Sequence, residues 1–402
     1  MPENTPLPSE AAGEPLIGVV NAGSSSLKFG FYEGDRRLLT GQVEGIGTAP
    51  KASAIGADGR PVAPPDFAVA ALQAPDAALP MVLAWGREQL SGRPIAALGH
   101  RVVHGGAMHS QPARVTAELL AELEALVPLA PLHEPHNLAP IRAALALDPQ
   151  LPQIACFDTA FHRTMPEIAQ TYALPHALYD EGVRAYGFHG LSYEYIASVL
   201  PAVAPEIAEG RVVVAHLGNG ASMCALSARR SIATTMGFSA LDGLVMGTRC
   251  GDVDPGIVLH LLQQKRMSPE AVTDLLYRRS GMLGLSGVSS DLRELLASDS
   301  PRARFAVEMF CYRAARHIGS LAAALGGLDA IVFTAGIGEN AAPIRRAICQ
   351  ACAWLGLELD DAANERHAAR ISGATSRVGA YVIKTDENLV IARHARSALG
   401  RR

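Results

Sequence analysis

Val19-Val20-Asn21-Ala22-Gly23-Ser24-Ser25-Ser26-Leu27-Lys28 joins two apolar runs, Leu16 to Val20 and Leu27 to Tyr32, through a turn of small and hydroxylated residues. The runs predict paired strands. Glycine lets backbone approach a ligand closely, and successive N–H groups at such a turn can cradle an anion. Asn21, Ser24 and Ser26 add oxygen ligands or donors, and Lys28 adds a positive charge suited to phosphate oxygens. The same design recurs at Arg211-Val-Val-Val-Ala-His216-Leu-Gly-Asn219-Gly-Ala-Ser222, followed by a strand-like Met223 to Ser227. A third copy of the strand and glycine-rich turn, Ala330-Ile-Val-Phe-Thr334-Ala-Gly-Ile-Gly338-Glu-Asn340, leads into an amphipathic stretch. One hairpin unit used twice predicts two related halves facing each other, with a nucleotide between their turns.

Further along the chain, Glu118 to Val127, Leu138 to Leu147, Ile257 to Lys265, Glu270 to Arg278 and Arg302 to Leu325 have helical periodicity. Gln153 to Phe157 reads as a buried strand ending at Asp158, and Ala380 to Ile391 as a strand through Thr385-Asp386-Glu387-Asn388 and then a helix. No Gly/Ser- or Pro-rich linker divides the middle of the chain, so a domain boundary near Asp158 follows from the repeat alone.

Composition narrows the partners. The 402 residues suffice for about two domains with ample cores, since 49% are hydrophobic. A net charge of −4 without a Lys/Arg run argues against nucleic acid. No apolar run approaches the ~20 residues that span a bilayer. Without a signal-peptide pattern, and with six scattered cysteines, a cytoplasmic protein is expected. Met1 to Pro15 reads as a flexible tail. Cys349 and Cys352 share one face of an expected helix, and no second Cys/His pair lies nearby, which favours core packing over zinc.

Arginine clamps planar carboxylates and phosphoryl groups through its fork of donors. Arg101, in Gly99-His-Arg-Val-Val-His-Gly-Gly106, and Arg249, in Met246-Gly-Thr-Arg-Cys-Gly-Asp252, sit among apolar residues and glycines, where a solvated charge is less expected. Asp158, at the end of its strand, occupies the position where α/β proteins place ligand-facing carboxylates. His189, in Tyr186-Gly-Phe-His-Gly190, lies in a loop from which an imidazole could donate to a transferring phosphoryl group. His133 and His136 flank Pro135, which argues for a loop lining a pocket rather than a helical metal pair.

Together these segments closely resemble the acetate kinase family. Asn21 to Lys28 and His216 to Ser222 are similar to its two signatures. His-Arg-Val-Val-His-Gly-Gly, Phe-Asp-Thr-Ala-Phe-His, Tyr-Gly-Phe-His-Gly, Met-Gly-Thr-Arg-Cys-Gly-Asp and Gly-Ile-Gly-Glu-Asn are also typical of it. The resemblance runs in order from about Leu16 to the C-terminus. It implies an α/β fold of the acetate and sugar kinase, Hsp70 and actin superfamily: two related ribonuclease H-like domains with ATP in the cleft, usually in a homodimer. Residues 16–158 and 387–402 would form the substrate and phosphate side, and 159–386 the nucleotide side.

The implied reaction is reversible transfer of the ATP γ-phosphoryl group to acetate, giving acetyl phosphate and ADP, with Mg2+ or alternatively Mn2+. By the same resemblance, Asn21 and Glu387 would take the metal, and Lys28, Ser24 and Ser26 would lie near the phosphates. Arg101, Val103, Leu132 and His133 would bind the substrate, and Asp158 would be the catalytic acid position. His189 and Arg249 would stabilise the transition state. His216, Leu217, Gly218, Asn219 and Gly220, with Asp291, Leu292 and Arg293 and with Gly336, Ile337, Gly338, Glu339 and Asn340, would hold ATP. A carboxylate nucleophile needs no deprotonation at neutral pH, so Asp158 is expected to position the metal or a neighbouring side chain rather than shuttle a proton.

Two departures from the family pattern stand out. Tyr193 occupies the place of a common second histidine; it can donate one hydrogen bond but cannot become a cation. Ala240 replaces a common proline of the acyl pocket, alongside Val103 and Leu132, which leaves room for an extra methylene worth about 1–3 kcal/mol. Acetate is the expected substrate, with propionate or butyrate as alternatives. A non-catalytic ATP switch of the same fold would not need two carboxylate-clamping arginines and a loop histidine. A sugar kinase would call for a base rather than an arginine clamp.

Overall fold

The computed structural model of the chain describes residues 14–23, 26–65, 75–131 and 133–400. Ser24, Leu132 and nearly all of the expected N-terminal tail lie outside the described residues.

Two sheets dominate. The first contains β1 (Leu16–Ala22), β2 (Ser26–Glu33), β3 (Arg36–Glu44), β4 (Lys51–Gly56), β5 (Pro61–Val62), β6 (Ile95–Val102), β7 (Ala113–Arg114) and β8 (Gln153–Phe157), in the order β5-β4-β3-β2-β1-β6-β8-β7. The second contains β9 (Arg211–Leu217), β10 (Ala221–Ser227), β11 (Arg230–Thr234), β12 (Ala330–Thr334) and β13 (Gly379–Val382), in the order β11-β10-β9-β12-β13. The repeat seen in the hairpins extends to topology. In both sheets an antiparallel three-strand meander (β1-β2-β3, β9-β10-β11) continues into two parallel strands (β6 and β8, β12 and β13).

The central strands are buried on both faces, which accounts for their near-continuous apolar runs. Side-chain alternation divides β9 between two cores. Val213, Ala215 and Leu217 meet the helix Pro301–Ala324 through Phe310, Ala314 and Ile318. Val212 and Val214 meet the helix Gly190–Val203 through Ile196 and Leu200. In the first sheet, Val20, Leu27 and Phe29 pack on the helix Pro75–Gln89. Ile17, Val19, Ala97 and Cys156 pack on Val390, Ile391 and Ala395 of the C-terminal helix, Glu387–Gly400. The chain thus returns to the first sheet at its end, bringing Glu387 beside strands formed far away in sequence.

Two local expectations are corrected. His133 and His136 do not share a loop: a helix spans Glu134–Leu147, with His133 at its N-cap and Pro135 in the first turn. There the missing proline N–H would have had no intrahelical partner anyway. The last strand stops at Val382, and Glu387 opens a helix rather than closing a strand. Cys349 and Cys352 are both buried in the core of the second sheet. Among the described residues, no helix is long and apolar enough to cross a membrane, and no three His, Cys, Asp or Glu side chains cluster as a metal site.

Candidate active site

Parallel strands bring their C-terminal ends to one edge, and here the edges of both sheets face a shared cavity of about 650 Å³. Arg101, near the end of β6, and Asp158, just after β8, meet across the parallel pair. Arg101 donates to Asp158 Oδ2 from Nε (3.1 Å) and Nη2 (2.5 Å). Asp158 is 1% exposed, and its other oxygen, Oδ1, has no hydrogen-bond partner. Burial pushes the Asp158 carboxyl up from its ordinary range, and the Arg101 guanidinium pulls against it. Asn137 ties this edge together, accepting from Val103 N (2.9 Å) and donating to the Ala22 carbonyl (2.8 Å). Val103 and His133 line the cavity beside Arg101. Burial, then Arg249 and Arg101, pushes the His133 imidazole down to about 3, so it is neutral.

His189 adopts a left-handed backbone (φ 57°) at the N-terminus of its helix. The next residue, Gly190, donates from its amide to the Asp158 carbonyl (3.0 Å), and a Cβ on Gly190 would collide with that oxygen. Buried His162 donates from Nε2 to the Phe188 carbonyl (2.9 Å) and fixes the preceding residue. The His189 ring stacks on His216, with centroids 4.2 Å apart, and its Nδ1 lies 2.8 Å from Ser222 Oγ. Burial, reinforced by His216, Arg101 and Arg249, holds His189 well below the usual imidazole range; burial also pushes His216 down to about 4. Both rings are neutral.

Arg249 donates from Nη1 to the Ala240 carbonyl (2.6 Å). It forms no ion pair with any carboxylate among the described residues. Burial and nearby Arg101 lower it to about 10, so it stays charged at neutral pH. A methyl added to Gly220 would lie 2.6 Å from Arg249 Nη2 and 3.4 Å from His189 Nε2, so these two donors converge above a glycine that leaves them room.

The cavity also brings together Asn21, Ser26, Lys28, His216, Gly218, Asn219, Gly220, Gly336, Glu339 and Glu387 from the sequence-based set. Other members lie elsewhere. Leu217 is in the core, Ile337 packs against it, and Gly338 is buried with its carbonyl accepting from Arg345 Nη1 (2.9 Å). Asn340 Nδ2 donates to the Gly336 carbonyl (2.9 Å). Asp291 caps the helix Leu292–Leu296 and pairs with Arg293 (2.5 Å), while Leu292 is buried; none of these three lines the cavity. Glu339 also has a local task, its Oε1 accepting from the amides of Ala335 (2.9 Å) and Thr385 (3.1 Å) across the ends of β12 and β13.

Sequence reasoning missed Phe188, Ala335, Thr385, Asp386 and Asn388, which also line the cavity. Their signal was proximity, since each lies within two residues of one already singled out. Asn137 gave no such signal, because its two backbone partners are remote in sequence.

The site therefore holds three cationic groups (Lys28, Arg101, Arg249), three neutral imidazoles (His133, His189, His216) and oxygen donors from Asn21, Asp158 and Glu387 around one cavity. Such a set can bind a polyanion and a small carboxylate side by side. Comparison with known proteins agrees. The model of the Acetokinase family matches residues 16–393. Acetate kinases of Nitrobacter hamburgensis and Rhizobium meliloti are 56% and 53% identical, over 95% and 94% of this chain and 96% of each relative. Among solved structures, a Porphyromonas gingivalis acetate kinase matches at TM-score 0.84 and 35% identity, covering 96% of this chain and all of that one. A Francisella tularensis propionate kinase matches at TM-score 0.87 and 36% identity, over 95% of this chain and 99% of that one. From its first strand to its last helix, this chain belongs to the acetokinase family.

Proposed function

We propose that the enzyme reversibly transfers the γ-phosphoryl group of ATP to acetate, giving acetyl phosphate and ADP. The observation that carries this reading is Arg249: a guanidinium without an acidic partner among the described residues, turned with His189 Nε2 toward the same point of the cavity. A positive charge left unneutralised in a built site awaits an anion.

In this reading Arg101 holds the acetate carboxylate with donor capacity left after its contact with Asp158, and Val103 packs on the methyl. One acetate oxygen attacks the γ-phosphorus in line. Charge spreads over the equatorial oxygens of the transferring group, where Arg249 and His189 meet it. Lys28 and the turns at Gly23 and Gly218–Gly220 take the remaining phosphate charge. Acetate arrives ionised, so Asp158 serves by orienting Arg101 and moves no proton. The donor set also fits a divalent metal. Asn21 and Glu387 supply hard oxygen ligands, Asp158 Oδ1 is buried without a partner, and Mg2+ commonly completes its shell with phosphate and water. When bound, Mg2+ would neutralise charge on the β- and γ-phosphates.

The test is kcat/KM for acetate, propionate and butyrate with purified enzyme and Mg-ATP. A clear preference for acetate is expected, and turnover of none of them would sink the proposal. One observation favours some propionate use: Ala240 lines the cavity where the family pattern has proline. Ala240→Pro should therefore raise the acetate-to-propionate ratio by about 10-fold, the lower end of the discrimination one methylene allows. An unchanged ratio would show that Ala240 does not touch the acyl group.

We also propose a homodimer. In the helix Pro255–Gln263 no residue is buried, yet Ile257 and Leu259 are 50% and 52% exposed in an apolar sequence, Ile-Val-Leu-His-Leu-Leu. An apolar helix this exposed marks an association surface. Ile257→Asp together with Leu259→Asp should shift the mass in sedimentation equilibrium from dimer to monomer. A double variant with wild-type mass would place any dimer contact elsewhere.

A further inference from the structure

Tyr193 and Ser222 are both fully buried behind His189, on the side away from the cavity. The Tyr193 hydroxyl lies 2.5 Å from Ser222 Oγ, its only hydrogen-bond partner among the described residues, and Ser222 Oγ lies 2.8 Å from His189 Nδ1. Three protons could be arranged along this chain in different ways, and counting them singles out one. If His189 carried its proton on Nδ1, it would donate to Ser222. Either the serine proton or the tyrosine proton would then be left buried without an acceptor, at a cost of about 1–3 kcal/mol. Only one arrangement uses every donor: Tyr193 donates to Ser222, and Ser222 donates to His189 Nδ1.

We propose that Ser222 is a positioning residue that locks His189 in the tautomer protonated on Nε2, the nitrogen that faces the cavity beside Arg249, and that Tyr193, which cannot take the serine proton, keeps Ser222 donating to Nδ1. The inference rests on the reading of His189 as a donor to the transferring phosphoryl group. It deepens that reading by naming what keeps the proton on the useful nitrogen. The surroundings agree. Burial, then His216, Arg101, Arg249 and His162, opposes a positive charge on the His189 imidazole, while burial, then Cys224, Asp158 and Glu387, favours the neutral phenol of Tyr193. Tyrosine also makes the chain one-way. A histidine at 193, as in the common family pattern, could accept the serine proton and so permit the reverse order. Tyr193 cannot do so without orphaning its own proton.

The test is nitrogen-15 NMR of the full-length enzyme with labelled histidine, the His189 signals being assigned by their loss in His189→Asn. In the wild type, Nδ1 should resonate as an unprotonated, pyridine-type nitrogen and Nε2 as a protonated, pyrrole-type one, unchanged between pH 6 and 8. Tyr193→Phe should keep this pattern, because Ser222 can still donate. Tyr193→His and Ser222→Ala should each shift both nitrogens toward averaged values, as the second tautomer becomes populated. Ser222→Ala should also lower kcat by about tenfold with little change in KM, less than the 10²–10³ typical of losing a donor outright, and Ser222→Thr should restore it. A wild-type signal with the proton on Nδ1, or averaged values absent from both Tyr193→His and Ser222→Ala, would overturn the proposal. The functional reading fails separately: if the tautomer is as expected but His189→Asn retains full kcat, His189 is locked yet not used.

Discussion

Arg249→Ala should lower kcat by on the order of 10³ or more, by analogy with the loss of an arginine finger, while KM for acetate and for Mg-ATP moves little. A group that meets charge only as it develops contributes to the transition state and hardly to the ground state. Arg249 fits that description. Its Nη1 is held by the Ala240 carbonyl, its Nη2 points over Gly220 beside His189 Nε2, and no carboxylate among the described residues neutralises it. The same isolation makes a second measurement informative. With its folded-state pKa pushed down to about 10 by burial, Arg249 is held less favourably as a cation in the folded protein than in the unfolded chain. That cost is fully present below pH 10, fades as pH rises from there toward the unfolded value, and is gone above it. Removing the side chain should therefore leave Tm of the ligand-free enzyme unchanged or higher, even as activity collapses. Arg249→Lys keeps the charge but not the fork, and should recover only part of kcat. A kcat for Arg249→Ala within tenfold of wild type would remove this residue from the transition state.

The parts of this site that were legible in the sequence are those built from contiguous residues. A strand, a glycine-rich turn and a second strand announce themselves locally, so both hairpins could be read directly, whereas the glycine-rich stretch after β12 is a short helix, Ala335–Asn340, rather than a turn. Arg101 and Arg249 stood out because apolar residues and glycines flank them. What escaped was non-local or context-dependent. Nothing near Asn137 shows that it bridges Val103 and Ala22. Pro135 looked like a helix breaker, although in the first turn of a helix it removes a donor that has no intrahelical partner. Asp291 and Arg293 are the right residue types for a nucleotide contact, yet two residues apart at a helix start they satisfy each other. Glu387 could be linked to Asn21 only through the family resemblance, because the C-terminal helix reaches the first sheet by packing Val390, Ile391 and Ala395 against Ile17 and Val19. The fold was more legible than the site, since strand periodicity repeats along the chain while a side chain's partner does not.

Arg101→Ala should behave in the opposite way to Arg249→Ala, and the contrast separates the two arginines by physics rather than by position. Arg101 is already engaged, its Nε and Nη2 both donating to Asp158 Oδ2, and the carboxylate it neutralises is 1% exposed. Truncating one partner of a buried ion pair leaves the other uncompensated and costs about 3–5 kcal/mol of stability. Asp158, already pushed up by burial and by Glu387, would then lose the cation that pulls it down, and would be left buried without a counter-charge. Catalysis should suffer by about 10²–10³-fold in kcat/KM for acetate, in line with the 2–5 kcal/mol of a severed buried charge pair. Most of that loss should appear as a raised KM for acetate, because Arg101 holds the carboxylate in ground and transition states alike. The double variant Arg101→Ala/Asp158→Asn decides whether the two losses share a cause. Replacing the stranded carboxylate by an amide removes the buried charge, so unfolding stability should return toward wild type. The acetate KM should not return, because the guanidinium fork is still absent. Recovery of both together would mean that Arg101 acts only by holding Asp158, and that acetate is bound by another group in the cavity.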